Sequence, residues 1–225
     1  SKITMSEKKI ILLTGILGLL GSIIVGTGEF LLHYSSTITE NVANYDFFAH
    51  IPRHNLIYGH FLAVAGTPLY FVGYYHLYRM LGDKESRWAK VVFGLGVLAF
   101  SVGGFWITSL AFLGTIVQRQ GQIDASVYQE ILNNYTLISE SLVNVLRVIV
   151  LALSVSFVVA ILKTTTHYDK WMVFFNPFAL LLLVFGIYFS LPVVGRYIAP
   201  IAMNVAHFIL FSASLVQLNK KYNSL

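Results

Sequence analysis

An all-α polytopic membrane protein, a bundle of six transmembrane helices with both termini in the cytoplasm, is the fold the sequence predicts. Three observations carry it. Only 11% of the 225 residues are charged and the mean hydropathy is +0.72, whereas a soluble domain carries roughly 25% charged residues. The apolar residues fall into six runs, each near the ~20 residues of helix that cross a bilayer core of ~30 Å. The basic residues gather in alternate loops, which is the signature of membrane orientation.

The first run, about 10–33, follows Lys8 and Lys9. It exceeds a signal-peptide core and lacks a small-residue exit, so it reads as a retained span, with Met5 as the natural start. A polar stretch from Tyr34 to Arg53, containing Asn41, Asn44, Asp46, His50 and Pro52, is long for a bundle loop and reads as a re-entrant or interfacial cap. Segment two covers about 54–79. The charged turn from Leu81 to Arg87 leads into segment three, about 88–117, where Gly94, Gly96, Gly103 and Gly104 signal close helix packing. A polar link from Gln118 to Asn133 precedes segment four, about 134–162. Segment five covers about 171–191, and Pro192 to Arg196 reads as a tight hairpin into segment six, about 197–218. Residues 1–225 thus make a single transmembrane domain.

Lys2, Lys8, Lys9, Arg79, Lys84, Arg87, Lys90, Lys163, Lys170, Lys220 and Lys221 fall on one side; Arg53, Arg119 and Arg196 fall on the other, with Arg147 inside a span. The positive-inside rule assigns the first group, and both termini, to the cytoplasm, and the chain to the inner or plasma membrane. The net charge of +5 is accounted for by these loops, and no nucleic-acid partner is expected. The chain has no cysteine, which removes disulfides, thiolate nucleophiles and Cys-based metal sites.

Ionisable groups inside a span are costly and mark function by default. Gly18, Ser22, Gly26, Glu29 and His33 share one arc of segment one, spaced by helical steps. Thr136, Glu140, Asn144, Arg147 and Ser154 share an arc of segment four. With the outer boundary at Asn134, Glu140 lies about 9 Å and Arg147 about 20 Å deep at roughly 1.5 Å per residue. Arg53, Ile57, His60, Val64, Thr67 and Phe71 line up on segment two, and Arg196, Pro200, Asn204, His207, Phe211 and Ser214 on segment six. The expectation is an outward-facing polar cavity walled by segments one, two, four and six. Glu29, His60, Asn144, Arg147, Asn204 and His207 would bind a lipid-like or amphipathic small molecule there, and Arg147 would be the partner of Glu29. His76 reads as an interfacial anchor among tyrosines, and the inner half of the bundle as almost free of ionisable groups.

One alternative is a membrane-embedded zinc hydrolase acting on a lipid. Glu29, His33, His60 and His207 would hold the metal, Glu140 would act as general base, and Arg147 would stabilise the oxyanion. A proton-coupled carrier and a structural protein with a buried ion-pair core are the others. Nothing repeats the histidine spacing of a cytochrome b bundle, so haem is not expected. Membrane lipids are the expected partners, and the glycine faces of segments one and three would also serve a homodimer.

Gly28-Glu-Phe-Leu-Leu-His-Tyr, with Pro68-Leu-Tyr-Phe-Val-Gly-Tyr-Tyr-His-Leu-Tyr, resembles an uncharacterised family of small multi-pass bacterial membrane proteins over the first two spans. That resemblance implies no activity. The alkaline-ceramidase-like zinc hydrolases have seven helices and late-helix histidines that this chain lacks, so their mechanism is not carried over.

Overall fold

The computed structural model describes residues 5–35, 45–82 and 86–223, and among them every regular element is helical. The order is α1 (Met5–His33), α2 (Arg53–Met80), α3 (Arg87–Val117), α4 (Ala125–Lys163), α5 (Pro177–Ser190), α6 (Pro192–Ile198) and α7 (Ala202–Asn223). α1, α2, α3, α4 and the stretch Pro192–Lys221 are each long and apolar enough to cross a membrane. The expected span 171–191 divides instead. A 3-10 turn, Lys170–Phe175, ends at Asn176, whose side chain caps α5 by accepting from the Ala179 amide at 3.0 Å. α5 has 14 residues, about 21 Å of helix and short of the ~30 Å core. Among the described residues there are therefore five full-length candidate spans and one shorter apolar helix.

Two connections also differ from expectation. The chain reverses at Leu191 rather than across Pro192 to Arg196, and Pro192 opens a helix. Gly195 makes this reversal tight, because a Cβ there would sit 2.3 Å from the Tyr188 Cα. α4 starts at Ala125, nine residues before Asn134, and absorbs half of the polar link. Asp124 provides its cap, accepting from the Ser126 amide at 2.9 Å and the Val127 amide at 3.3 Å. The Ser126 hydroxyl, then these amides, hold the Asp124 carboxyl below its usual 3.8. A lowered pKa in the folded state stabilises above the unfolded value and is lost as pH falls through the folded one. Acid titration should therefore fray the first turn of α4 only below about pH 4, and Asp124→Asn should remove that pH dependence. Amide exchange at Ser126 and Val127 measures it; fraying that begins near pH 6 would contradict the cap.

α1 lies against α2 on one side and α7 on another, and glycine makes both contacts close. Gly28 meets Gly59 and Ala63, Gly21 meets Leu69 and Tyr70, Gly18 meets Gly73, and Gly15 meets His76, so α1 and α2 run antiparallel. Gly26 opposite Asn204, and Gly15 opposite Leu215, make α7 antiparallel to α1 as well. The start of α1 and the end of α7 consequently share one face of the bundle, the terminal face; His33, Arg53 and Val117 mark the far face. The α1 glycines are used inside the protomer, which leaves Gly94 and Gly103 of α3, with nothing within 4 Å of an added Cβ, as the open glycines of the two segments expected to dimerise.

The described part of the 34–53 stretch caps the far face. A 3-10 turn, Asp46–His50, drives the fully buried Phe48 towards Gly114 and Leu56. The Gln118 amide holds it there, donating to the carbonyls of Phe48 at 3.1 Å and Ile51 at 2.7 Å. Asn41, Asn44, Lys2 and Lys84 lie outside the described residues.

Candidate functional site

α1 ends its buried arc with Glu29, which is 5% exposed. Its carboxylate accepts from the Asn204 side-chain amide at 2.5 Å, and the Asn204 carbonyl oxygen accepts from the Tyr70 hydroxyl at 2.6 Å. One turn further along α7, His207 Nδ1 lies 2.8 Å from the Met203 carbonyl, which can only accept. Nδ1 therefore carries the proton, and in the neutral ring Nε2 accepts from the Tyr74 hydroxyl at 2.7 Å. Phe100 stacks on Tyr70 with ring centroids 3.6 Å apart and closes the cluster from α3. Glu29, Asn204 and His207 line a cavity of about 40 Å³ with Thr67, Trp106 and Leu146. At ~10–15 Å³ per water it has room for roughly three or four.

A second opening lies on the other side of Asn204. A lateral groove of about 480 Å³ runs between α1 and the α6–α7 stretch, lined by Gly26, Phe30, Tyr197, Ile201, Val205 and Phe208 among others. Asn204 belongs to both walls. The polar atoms on the floor are already engaged: the Ser22 hydroxyl donates to the Leu19 carbonyl at 2.6 Å, and Thr27 to Ile23 at 2.8 Å. With the Asn204 amide bound to Glu29 and Tyr70, the groove presents hydrocarbon below its rim. At the rim, Arg196 donates to the Tyr197 hydroxyl at 2.8 Å, and its guanidinium stands 4.8 Å from the centre of that ring.

The structure brings Glu29, Asn204 and His207 together and sends the other expected site residues elsewhere. Glu140, Asn144 and Arg147 are exposed on α4. Arg147 donates to Asn144 at 2.8 Å, and Glu140 accepts from the Tyr45 hydroxyl. Burial, then the Glu140 carboxylate, pushes the Tyr45 hydroxyl up to about 12. The expected Glu29–Arg147 pair is not formed. The α4 residues that reach the cavity, Leu146, Val150 and Leu153, lie about 100° around the helix from the expected arc. His33 turns its Nδ1 to the Glu29 backbone carbonyl at 2.9 Å and stacks near Phe47 and Trp106. His60 is half-buried beside Phe61, with Nδ1 unpartnered. The expected zinc set of Glu29, His33, His60 and His207 therefore does not assemble, and among the described residues no three His, Asp or Glu side chains are placed to hold a metal.

A second buried cluster lies outside the expected site. His76 is fully buried, not an interfacial anchor. Its Nδ1 donates to the Ile11 carbonyl at 2.7 Å, so in the neutral ring Nε2 accepts from the Ser214 hydroxyl at 2.6 Å. Ser214 then accepts from the Tyr168 hydroxyl at 2.6 Å. A signal for this arrangement was available: Gly59, Ala63, Gly66, Tyr70, Gly73 and Leu77 recur at helical spacing, and that stripe, not the arc through His60, faces α1. It places Tyr70 inside and His76 on its flank towards α7.

The long apolar helices, with a hydrogen-bonded polar core between three of them, define an all-helical protein of the membrane class. The chain belongs to a family of unknown function, DUF6796, whose model matches residues 5–221. The match covers nearly the whole chain and agrees with the expectation of an uncharacterised family. No curated protein and no solved structure matches it.

Proposed function

We propose that this is an inner-membrane protein, its terminal face in the cytoplasm, that binds a lipid-like amphipathic molecule in the groove between α1 and the α6–α7 stretch. One observation carries the reading: a groove of about 480 Å³, within the ~300–1,000 Å³ of ligand sites, whose described floor is hydrocarbon apart from Ser22, Thr27 and Asn204, each already hydrogen-bonded within the protein. Such a floor favours a hydrocarbon chain over a polar solute, because a polar solute would lose its water without gaining partners. The Glu29–Asn204–Tyr70 bonds fix the back wall. Orientation is supported by Lys8 and Lys9 at the start of α1 and Lys220 and Lys221 at the end of α7.

A fatty acid with a photoactivatable group in mid-chain tests this in detergent-solubilised protein. Labelling should concentrate on the peptides 22–30 and 197–208 and fall several-fold in Val205→Trp, where the indole fills the groove. Equal labelling of the exposed surfaces of α3 and α4, unchanged in that variant, would sink the proposal.

A further inference from the structure

Arg196 is the feature that the lipid-binding reading leaves unexplained. Among the described residues its guanidinium bonds only to the neighbouring tyrosine hydroxyl, and no carboxylate there pairs with it. About 36 Å of helix separates it from Lys220 at roughly 1.5 Å per residue, so with Lys220 at one edge of a ~30 Å core Arg196 stands just beyond the other. Tyr197 both lines the groove and orients the arginine, and the Tyr34 ring lies 5.3 Å from the Tyr197 ring. The rim therefore offers one oriented guanidinium and a phenol hydroxyl immediately above a channel lined almost wholly by hydrocarbon. Asn204 lies about 12 Å deeper at the same rise.

We propose that the rim binds the phosphate of an anionic membrane phospholipid, one of whose acyl chains occupies the groove. This rests on the lipid-binding reading and adds the headgroup class. Guanidinium suits the task because its planar fork donates to two phosphate oxygens at once, which an ammonium does not match. The carrying juxtaposition is a cation that no carboxylate of the described residues pairs with, at the mouth of an apolar groove, at the depth where lipid phosphates lie. A neutral lipid would use the groove and leave the exposed guanidinium to water. A free phosphate would use the guanidinium and leave the groove empty.

Native mass spectrometry of the purified protein with phosphatidylglycerol, and with the diacylglycerol of the same chains, separates these cases. Wild type should retain phosphatidylglycerol about tenfold or more over diacylglycerol, the worth of a charge-assisted contact. Arg196→Gln should bring the two lipids level, and Arg196→Lys should restore part of the preference. Val205→Trp should lower both. If Arg196→Gln keeps the full preference, the headgroup inference is overturned while the groove stands. If Val205→Trp leaves phosphatidylglycerol binding unchanged, the groove reading fails. Displacement of the lipid by millimolar inorganic phosphate would show an anion site without a lipid requirement and would overturn the commitment to phospholipid.

Discussion

Gly28→Ala is expected to destabilise the bundle by on the order of 3 kcal/mol, the upper part of the range for overpacking. Two helices approach here backbone to backbone. A Cβ on Gly28 would stand 2.5 Å from the Gly59 carbonyl oxygen and 2.6 Å from the Ala63 nitrogen, and a Cβ on Gly59 would stand 2.6 Å from the Gly28 oxygen. No side chain can rotate away, so α1 and α2 must separate. Separation would also draw Glu29 from Asn204 and disturb the wall of the groove. Gly104→Ala is the matched control: its nearest neighbour is the Thr67 side chain at 3.9 Å, and alanine favours helix by roughly 1 kcal/mol. That variant should be neutral or slightly more stable. Thermal unfolding in detergent compares them, and equal midpoints would mean that the α1–α2 seam is not close-packed in the protein.

The same seam shows what the sequence made legible. Glycines at steps of three and four on α1 identified the packing face, and Glu29 followed because it lies on that arc. α4 misled for a reason of length. With a start at Asn134, Arg147 counts as nearly mid-membrane, and a mid-membrane arginine must face inward. The helix in fact has 39 residues, about 58 Å, nearly twice the ~30 Å core. Measured from Lys163 at the terminal face, Arg147 lies about 24 Å up, roughly 6 Å inside the far boundary, and Glu140 about 35 Å, beyond it. Near that boundary an exposed arginine keeps its charge by snorkelling. Glu140 and Asn144 are thus interfacial, and depth, not helical phase alone, decides which way they and Arg147 face. α2 misled in phase: the His60 arc was followed because it carries an ionisable group, whereas the close-packing face is the one that carries Gly59, Gly66 and Gly73.

The second large effect is expected at His76. The ring joins three helices and the linker after α4, because Ile11 belongs to α1, Ser214 to α7, and Tyr168 to the 164–169 connection that also bonds the Met80 carbonyl through Thr166 at 3.0 Å. His76→Leu fills most of the space but removes the acceptor of the Ser214 hydroxyl and the donor to the Ile11 carbonyl at a buried site. Each unsatisfied buried group costs about 1–3 kcal/mol, and more than one is affected. A loss of roughly 3 kcal/mol in detergent unfolding follows, against about 1 kcal/mol for Tyr168→Phe, which removes only the terminal donor of the chain. The double variant should cost clearly less than the sum of the two, since once His76 is gone Tyr168 has less to lose. Strict additivity in that cycle would show that the three side chains do not act as one network. The coupling also separates this cluster from the groove: His76→Leu should lower stability while leaving the preference for phosphatidylglycerol at its wild-type ratio in the folded fraction. The bonds around His76 hold the helices together at the terminal end, whereas those around Asn204 shape the wall that a lipid would meet.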